Sequence, residues 1–312
     1  MNKVLRGGVI GAGVFGGYHA RQYAQADDAC LAAVFDPDLE RAREVAARHE
    51  ATAFDDLDAF LASVDVVTVA SPGVRHAEGA LAALRAGRPV YVEKPLAVDL
   101  EEADRIVLEA SRRGLVVACG HQERVVFQAI GLFSAPERPL RLEALRQGPQ
   151  SERSLDISVI LDLMIHDLDL ALSLASGSPL AAEGEGDVAY SGGLDAVRAE
   201  VTFDDGFTAV FDASRMAPER RRSMRVVYPS GELEIDFLAR TFRNTTGFDL
   251  NPDFAETPGA RDPLGASVGA FLACVRGDRD RPVVTGEEAA RALDLALAIE
   301  RAVDESGPRH HV

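Results

Sequence analysis

Through roughly the first 120 residues, short apolar runs of β character alternate with segments of helical spacing, a pattern that implies β-α-β units around a parallel sheet. The runs are Val4 to Ile10, Cys30 to Phe35, Val64 to Ala70, Pro89 to Val92 and Leu115 to Cys119. Between them Ala42, Val45 and Ala46, then Ala80, Leu81 and Leu84, recur every three or four positions, as on one face of a helix. Helices cover both faces of a parallel sheet, so its strands can be apolar throughout instead of alternating. Cys30 and Cys119 lie in such runs and are expected to be small core hydrophobes.

After Cys119 the texture changes. One strongly helical segment, about Asp156 to Ala175, precedes glycine-punctuated runs of β character: Val197 to Phe203, Phe207 to Ala213, Met224 to Tyr228 and Glu232 to Phe237. Asp204-Asp205-Gly206 between the first two is a hairpin signal, and an antiparallel sheet is implied. A loop rich in Pro, Gly and Asn (Asn244 to Pro263) leads to two Ala/Leu-rich helices, Leu264 to Arg276 and Glu287 to Glu305. The expected fold class is α/β: an N-terminal doubly wound parallel sheet (a Rossmann domain, residues 1–120), then an α+β domain with an open, mainly antiparallel sheet (residues 121–312).

A formal charge of −17 and the scarcity of Lys and Arg clusters leave no electrostatic footprint for nucleic acid or an anionic membrane surface. The run Arg220-Arg221-Arg222 is the local exception and reads as a solvated turn or strand edge without function. Three widely spaced cysteines without a CxxC argue against a disulfide framework or a zinc site. With no signal-like apolar segment and no stretch long enough to span a membrane, a soluble, cytoplasmic protein is expected.

Gly11-Ala12-Gly13-Val14-Phe15-Gly16 closes the first strand and opens a helix, the context in which a GxGxxG match signals a dinucleotide site. Gly11 permits the tight turn, Gly13 lets the backbone approach a pyrophosphate, and Gly16 allows the helix to pack closely on the strand. The helix start at Val14 and Phe15 offers unpaired N–H groups and a partial positive charge. Asp36 ends the second strand twenty residues after Gly16, where a carboxylate binds the adenosine ribose hydroxyls and repels a 2′-phosphate. NAD is therefore the expected cofactor. Ser71 and Pro72, where a strand ends, His76 at the next helix start, and Glu93 are further candidate cofactor contacts, although His76 taken alone reads more readily as a helix-capping or surface histidine than as a functional one.

Glu93-Lys94-Pro95 places a lysine at the carboxyl edge of the same sheet, and Pro95 stops the strand behind it. In the later helix, Asp162, His166 and Asp169 are spaced four and three apart and so share one face, among apolar Ile160, Leu161, Leu163, Leu168, Leu170 and Leu172. A polar stripe on a mostly buried helix must face a network, a metal or a ligand. One helix supplies too few preorganised ligands for a metal, so none is expected; a satisfied structural network is the bland alternative.

Gly11 to Gly16, Glu93-Lys94-Pro95, Gly120-His121-Gln122-Glu123-Arg124 and Asp162-x-x-x-His166-x-x-Asp169 together resemble the Gfo/Idh/MocA family of glucose-fructose oxidoreductases, inositol dehydrogenases and rhizopine-catabolism oxidoreductases, over nearly the whole chain. The resemblance implies that Lys94 hydrogen-bonds a reacting hydroxyl, that His166 is the general acid/base, and that Asp162 orients substrate or His166. It further implies substrate contacts at Arg124 and Asp169, and a homodimer or homotetramer assembled through the open sheet. Ser158-Val159-Ile160-Leu161 stands where family members often carry a glycine-rich run, so the substrate pocket is expected to be shaped differently. The form Leu163-Met164-Ile165-His166-Asp167-Leu168-Asp169 is similar to members that oxidise the 3-hydroxyl of nucleotide-linked amino sugars such as UDP-N-acetylglucosamine. The alternatives are a dehydrogenase of a free polyol or inositol, and a non-catalytic NAD-binding sensor or regulator.

Overall fold

The computed structural model describes residues 4–150 and 155–310. In the first part β1 (Leu5–Ile10), α1 (Val14–Gln25), β2 (Ala29–Phe35), α2 (Leu39–Ala47), β3 (Thr52–Phe54), α3 (Leu57–Ser63), β4 (Val66–Val69), α4 (His76–Arg85), β5 (Val90–Val92), α5 (Leu100–Arg113) and β6 (Val117–Cys119) follow one another. The strands pair in parallel in the order β3-β2-β1-β4-β5-β6. That order reverses between β1 and β4 and opens a crevice beyond their carboxyl ends, the place where such sheets bind ligands. Carboxylates cap three of the helices: Asp38 on α2, Asp56 on α3 and Asp99 on α5 each accept from backbone N–H groups of the first turn. By contrast α1 starts on Gly13 with no side-chain cap, which leaves its terminal N–H groups for another acceptor.

The doubly wound sheet is the one expected, with β3 added. Thr52-Ala53-Phe54 is too short to register as an apolar run, yet it pairs with β2 from Ala33 to Phe35. One core assignment fails: Cys30 is exposed, whereas Cys119 is fully buried. Ala29 and Leu31 turn into the core, so the alternation of a strand turns Cys30 the other way.

The second part comprises α6 (Glu123–Ile130), β7 (Arg141–Gln147), a π-helical turn (Ile160–Met164), α7 (Ile165–Leu174), β8 (Pro179–Val188), β9 (Ala196–Phe203), β10 (Thr208–Ser214), β11 (Arg221–Tyr228), β12 (Gly231–Asp236), β13 (Thr241–Asn244) and α8 (Pro258–Arg261). With β14 (Arg309–His310) its strands form an eight-stranded sheet in the order β13-β12-β11-β7-β10-β9-β8-β14. β7 and β10, and β8 and β14, are parallel; the remaining pairs are antiparallel, as expected. One face alternates into a core, with Val197, Ala199 and Val201 opposite Ala213, Phe211 and Ala209. The other face carries paired charges: Arg225 reaches Glu143 and Glu232, and Arg243 bridges Glu232 and Glu234.

One strand was not expected, and two local readings change. The sequence Arg-Leu-Glu-Ala-Leu-Arg-Gln of β7 favours helix by propensity, but as a strand it buries Leu142, Ala144 and Arg146 on one face, and packing prevails over propensity. The helix expected over 156–175 starts at Ile160 with the π turn instead, anchored where Ser158 accepts from the backbone N–H of Leu161 and Asp162. Arg222 is not part of a solvated edge, because it lies half-buried in phase with the core-facing Met224 and Val226 of β11, while Arg220 and Arg221 are exposed.

The expected division into 1–120 and 121–312 misses a return of the chain. The two compact units are Met1–Gln122 with Asp262–Ala290, and Glu123–Arg261 with Arg291–Val312. α9 (Pro263–Arg276) belongs to the first because Val268, Phe271 and Leu272 enter one buried cluster with Val9, Tyr23, Leu31, Val34 and Tyr91. Tyr91 Oη donates to Ser267 Oγ at 3.1 Å and Gln22 Nε2 to Asp262 Oδ2 at 2.9 Å. α10 (Gly286–Ser306) starts in the first unit and ends in the second. Among the described residues no helix is long and apolar enough to cross a membrane.

Candidate active site

In the first unit the site is built on backbone. Gly11 has φ +98°, and a Cβ there would meet Ser71 N at 2.6 Å. A Cβ on Gly16 would fall 1.8 Å from the Gly11 carbonyl oxygen, so α1 can cross β1 this closely only with glycine. Nothing lies within 4 Å of a Cβ on Gly13, which leaves open space above the helix start and the backbone of Val14 and Phe15. Asp36 faces the same turn: its Oδ2 accepts from Ala12 N at 2.8 Å and its Oδ1 from Asp38 N at 3.0 Å. Each carboxylate oxygen keeps a second lone pair for a ribose hydroxyl. Ser71 Oγ, at the end of β4, is buried and has no hydrogen-bond partner among the described residues, the condition of a hydroxyl that a ligand would satisfy. An open cradle over Gly13, an aimed carboxylate and an orphan hydroxyl fit a dinucleotide.

His76 is neither a surface nor a capping residue. It is buried, with Nδ1 2.6 Å from the Pro95 carbonyl oxygen and Nε2 2.9 Å from that of Ser71, and so ties the end of β4 to the turn after β5. Burial lowers its proton affinity below the usual 6.5, against the opposing pull of the two carbonyls. Glu93 is buried too. Its Oε1 accepts from His19 Nε2 at 2.7 Å and Gln122 Nε2 at 3.2 Å, and its Oε2 accepts from Lys94 N at 3.3 Å. Burial pushes the Glu93 carboxyl up, but His19, Lys94 and His76 outweigh it and hold it below the usual range. Lys94 follows, half-buried, ahead of a cis Pro95.

In the second unit the site is built on charge. His166 Nδ1 lies 2.8 Å from Glu123 Oε2, at the start of α6. The other oxygen of Glu123 accepts from Arg146 Nη1 at 3.0 Å, and Arg146 donates twice more, from Nε and Nη2, to Asp167 at 2.9 Å each. Burial pushes Glu123 up, yet His166 and Arg146 hold its carboxyl well below the usual carboxylate range. An ionised carboxylate against Nδ1 keeps the ring proton there and makes Nε2 the basic nitrogen. Arg124 and Asp169 form a second buried pair, bidentate at 2.7 Å for both bonds, which fastens α6 to α7.

The structure thus groups Gly11, Gly13, Gly16, Asp36 and Ser71 around one turn, with His76, Glu93 and Lys94 along the neighbouring strand ends. Pro72 is exposed just beyond Ser71. Asp162 sits in the π turn, so its phase relative to His166 differs from that of a regular helix, and the carboxylate 2.8 Å from His166 Nδ1 is Glu123. Arg124 and Asp169, read as substrate contacts, hold one another. Sequence reasoning did not single out Arg146 or Asp167; the only available signal was an arginine on an alternating strand, and that strand was not recognised.

The chain is 38% identical to the UDP-N-acetylglucosamine 3-dehydrogenase of Acidithiobacillus ferrooxidans, over 96% of this chain and 97% of that protein. It belongs to the Gfo/Idh/MocA family. Residues 5–121 match the profile of the oxidoreductase family with an NAD-binding Rossmann fold, and residues 137–234 that of the GFO/IDH/MocA C-terminal domain. Another relative, the myo-inositol 2-dehydrogenase of Thermotoga maritima, is 27% identical over 96% of this chain and 97% of its own. A solved structure of the Acidithiobacillus ferrooxidans enzyme superposes with a TM-score of 0.87 at 38% identity, covering 96% of this chain and 98% of that one. The WlbA dehydrogenase from Bordetella pertussis, solved with NADH and UDP-GlcNAcA, has the same fold, with a TM-score of 0.86 at 20% identity over 98% and 97% of the two chains. The Gfo/Idh/MocA resemblance read from the motifs is thereby borne out, and NAD is the cofactor.

Proposed function

We propose that this chain is an NAD-dependent dehydrogenase that oxidises a secondary hydroxyl of a nucleotide-linked amino sugar, UDP-N-acetylglucosamine being the first candidate. The observation that carries this reading is the Glu123–His166 pair, an acid/base histidine aligned by a half-buried carboxylate, in a chain so similar to a UDP-N-acetylglucosamine 3-dehydrogenase. Gly11, Gly13, Val14, Phe15, Gly16, Asp36, Ser71 and Pro72 hold the cofactor in this reading, His76 positions Ser71 from behind, and Glu93 fixes the backbone of Lys94. NAD, when bound, supplies the hydride acceptor. His166 takes the hydroxyl proton at Nε2, and Glu123 stabilises the cation so formed. Lys94 supplies a positive charge to the oxygen as it becomes alkoxide-like, and Asp162 holds a substrate hydroxyl. Arg124 and Asp169 brace the helix that carries His166.

The test is NADH formation followed at 340 nm with UDP-N-acetylglucosamine, myo-inositol and simple hexoses, using Lys94→Ala as control. Turnover of the UDP-sugar that falls by about 10²-fold or more in the variant is expected. Turnover of inositol alone transfers the assignment to a free polyol, the reading favoured by the likeness to myo-inositol 2-dehydrogenase; NAD binding with no turnover of any sugar replaces it with a sensor. A homodimer or homotetramer is the proposed assembly. Its interface on the open sheet is polar, given the paired charges there, and a monomeric mass in solution overturns it. A cytoplasmic location is proposed on the same reading.

A further inference from the structure

Three arginines leave neighbouring strands at one end of the second sheet, all in phase with its core-facing residues: Arg146 on β7, Arg215 just after β10 and Arg222 on β11. Two are neutralised. Arg146 is held by Asp167 and Glu123, and Arg215 lies 3.5 Å from Asp195 and donates to the Ile157 carbonyl oxygen at 2.8 Å. The third differs. Arg222 is half-buried, and among the described residues its side chain has neither an ion pair nor a hydrogen bond.

Its surroundings make that costly. Arg222 and Arg146 are register partners across β7 and β11, and like charges directly opposite on adjacent strands repel. Arg220 adds a further positive charge. The carboxylates that face Arg222 are Glu123 and Asp167, and both are engaged by Arg146. Burial first, then Arg146, lower the proton affinity of Arg222. A guanidinium partly withdrawn from water, beside another and with its five donors unused within the protein, gains from an external anionic acceptor.

We propose that Arg222, with Arg220 outside it, forms an anion subsite that receives the diphosphate of a nucleotide-linked substrate. The proposal rests on the dehydrogenase reading above and deepens it: the chain Arg222, Arg146, Glu123, His166 puts the anion on the same face as the acid/base histidine. A planar guanidinium grips two phosphate oxygens at once and distinguishes a nucleotide-linked sugar from a free one.

UDP binding is measured by calorimetry on the full chain saturated with NADH, so that the glycine turn is already filled. Arg222→Gln is expected to weaken UDP by about tenfold or more, whereas Arg225→Gln, on the opposite face of the sheet, leaves it unchanged. KM for UDP-N-acetylglucosamine rises in parallel while kcat stays within about threefold. Should Arg222→Gln melt below the assay temperature, Arg222→Lys replaces it, with UDP weakened by at least about threefold because an ammonium cannot form the bidentate pair. Equal UDP affinity in the wild type and a folded Arg222 variant overturns the subsite, as does absence of UDP binding to the wild type. UDP binding through Arg222 in a protein that oxidises no UDP-sugar overturns the proposed function and leaves the subsite standing.

Discussion

The turn after β1 acts through six consecutive residues, Gly11 to Gly16, and almost entirely through backbone, whereas the cluster around His166 joins side chains 21 to 45 positions apart. The turn is built by leaving things out: no Cβ on Gly13, no capping side chain on α1 and, among the described residues, no hydrogen-bond partner for Ser71 Oγ. The cluster works the other way. Glu123 and Asp167 converge on one buried arginine and leave His166 with a carboxylate at its Nδ1. Cofactor binding asks for an open, featureless cradle; proton transfer asks for a ring whose tautomer and orientation are fixed from behind. If that contrast is right, the two regions must fail differently when damaged.

The largest effect is expected in the cluster. Arg146→Met leaves the buried Asp167 without its cation and Glu123 with His166 alone, and urea unfolding should show a loss of about 3–5 kcal/mol; a loss below about 1 kcal/mol breaks the picture of a charge-built core. Next, His166→Asn should lower kcat by about 10²-fold or more while NAD titration by fluorescence gives an unchanged Kd. A parallel loss of NAD affinity would erase the division of labour. Asp36→Ala should do the converse, raising KM for NAD by about tenfold or more through loss of charged hydrogen bonds with kcat preserved. The smallest effect is a pH dependence within the cofactor unit. The His76 pKa is depressed on folding, so its contribution to stability is complete above the usual 6.5 and declines as pH falls below it. Thermal melts of the wild type should drop over that range and those of His76→Asn should drop less; identical slopes would remove His76 from the account.

How much could be read in advance follows the same contrast. Gly11, Gly16 and Asp36 were legible because each satisfies a local steric or positional demand inside one β-α-β unit. Lys94 and His166 stood out only as members of motifs. The partners that define His166 were hidden: Arg146 lies on a strand whose residues prefer helix, and Glu123 gains its meaning from a pairing 43 positions away, 123 against 166. The π turn had no sequence signal either, although it decides where Asp162 points relative to the helix after it. Arg222 was set aside as solvated because a run of three arginines looks alike in every phase; only the register of β11 separates the inward one from its neighbours.

The return of α9 to the first unit has a consequence for how the chain is made. Val268, Phe271 and Leu272 pack in the same cluster as Val9 and Val34, so a ribosome exposes the parallel sheet long before it delivers the helix that completes its cover. Domains usually mature in order of synthesis, N-terminal first; here the first unit stays incomplete until nearly the whole second unit has emerged. A gene fragment ending at residue 122 therefore encodes a sheet with an uncovered apolar flank, prone to aggregate, and the reading frame cannot be cut into two self-sufficient halves at any single point.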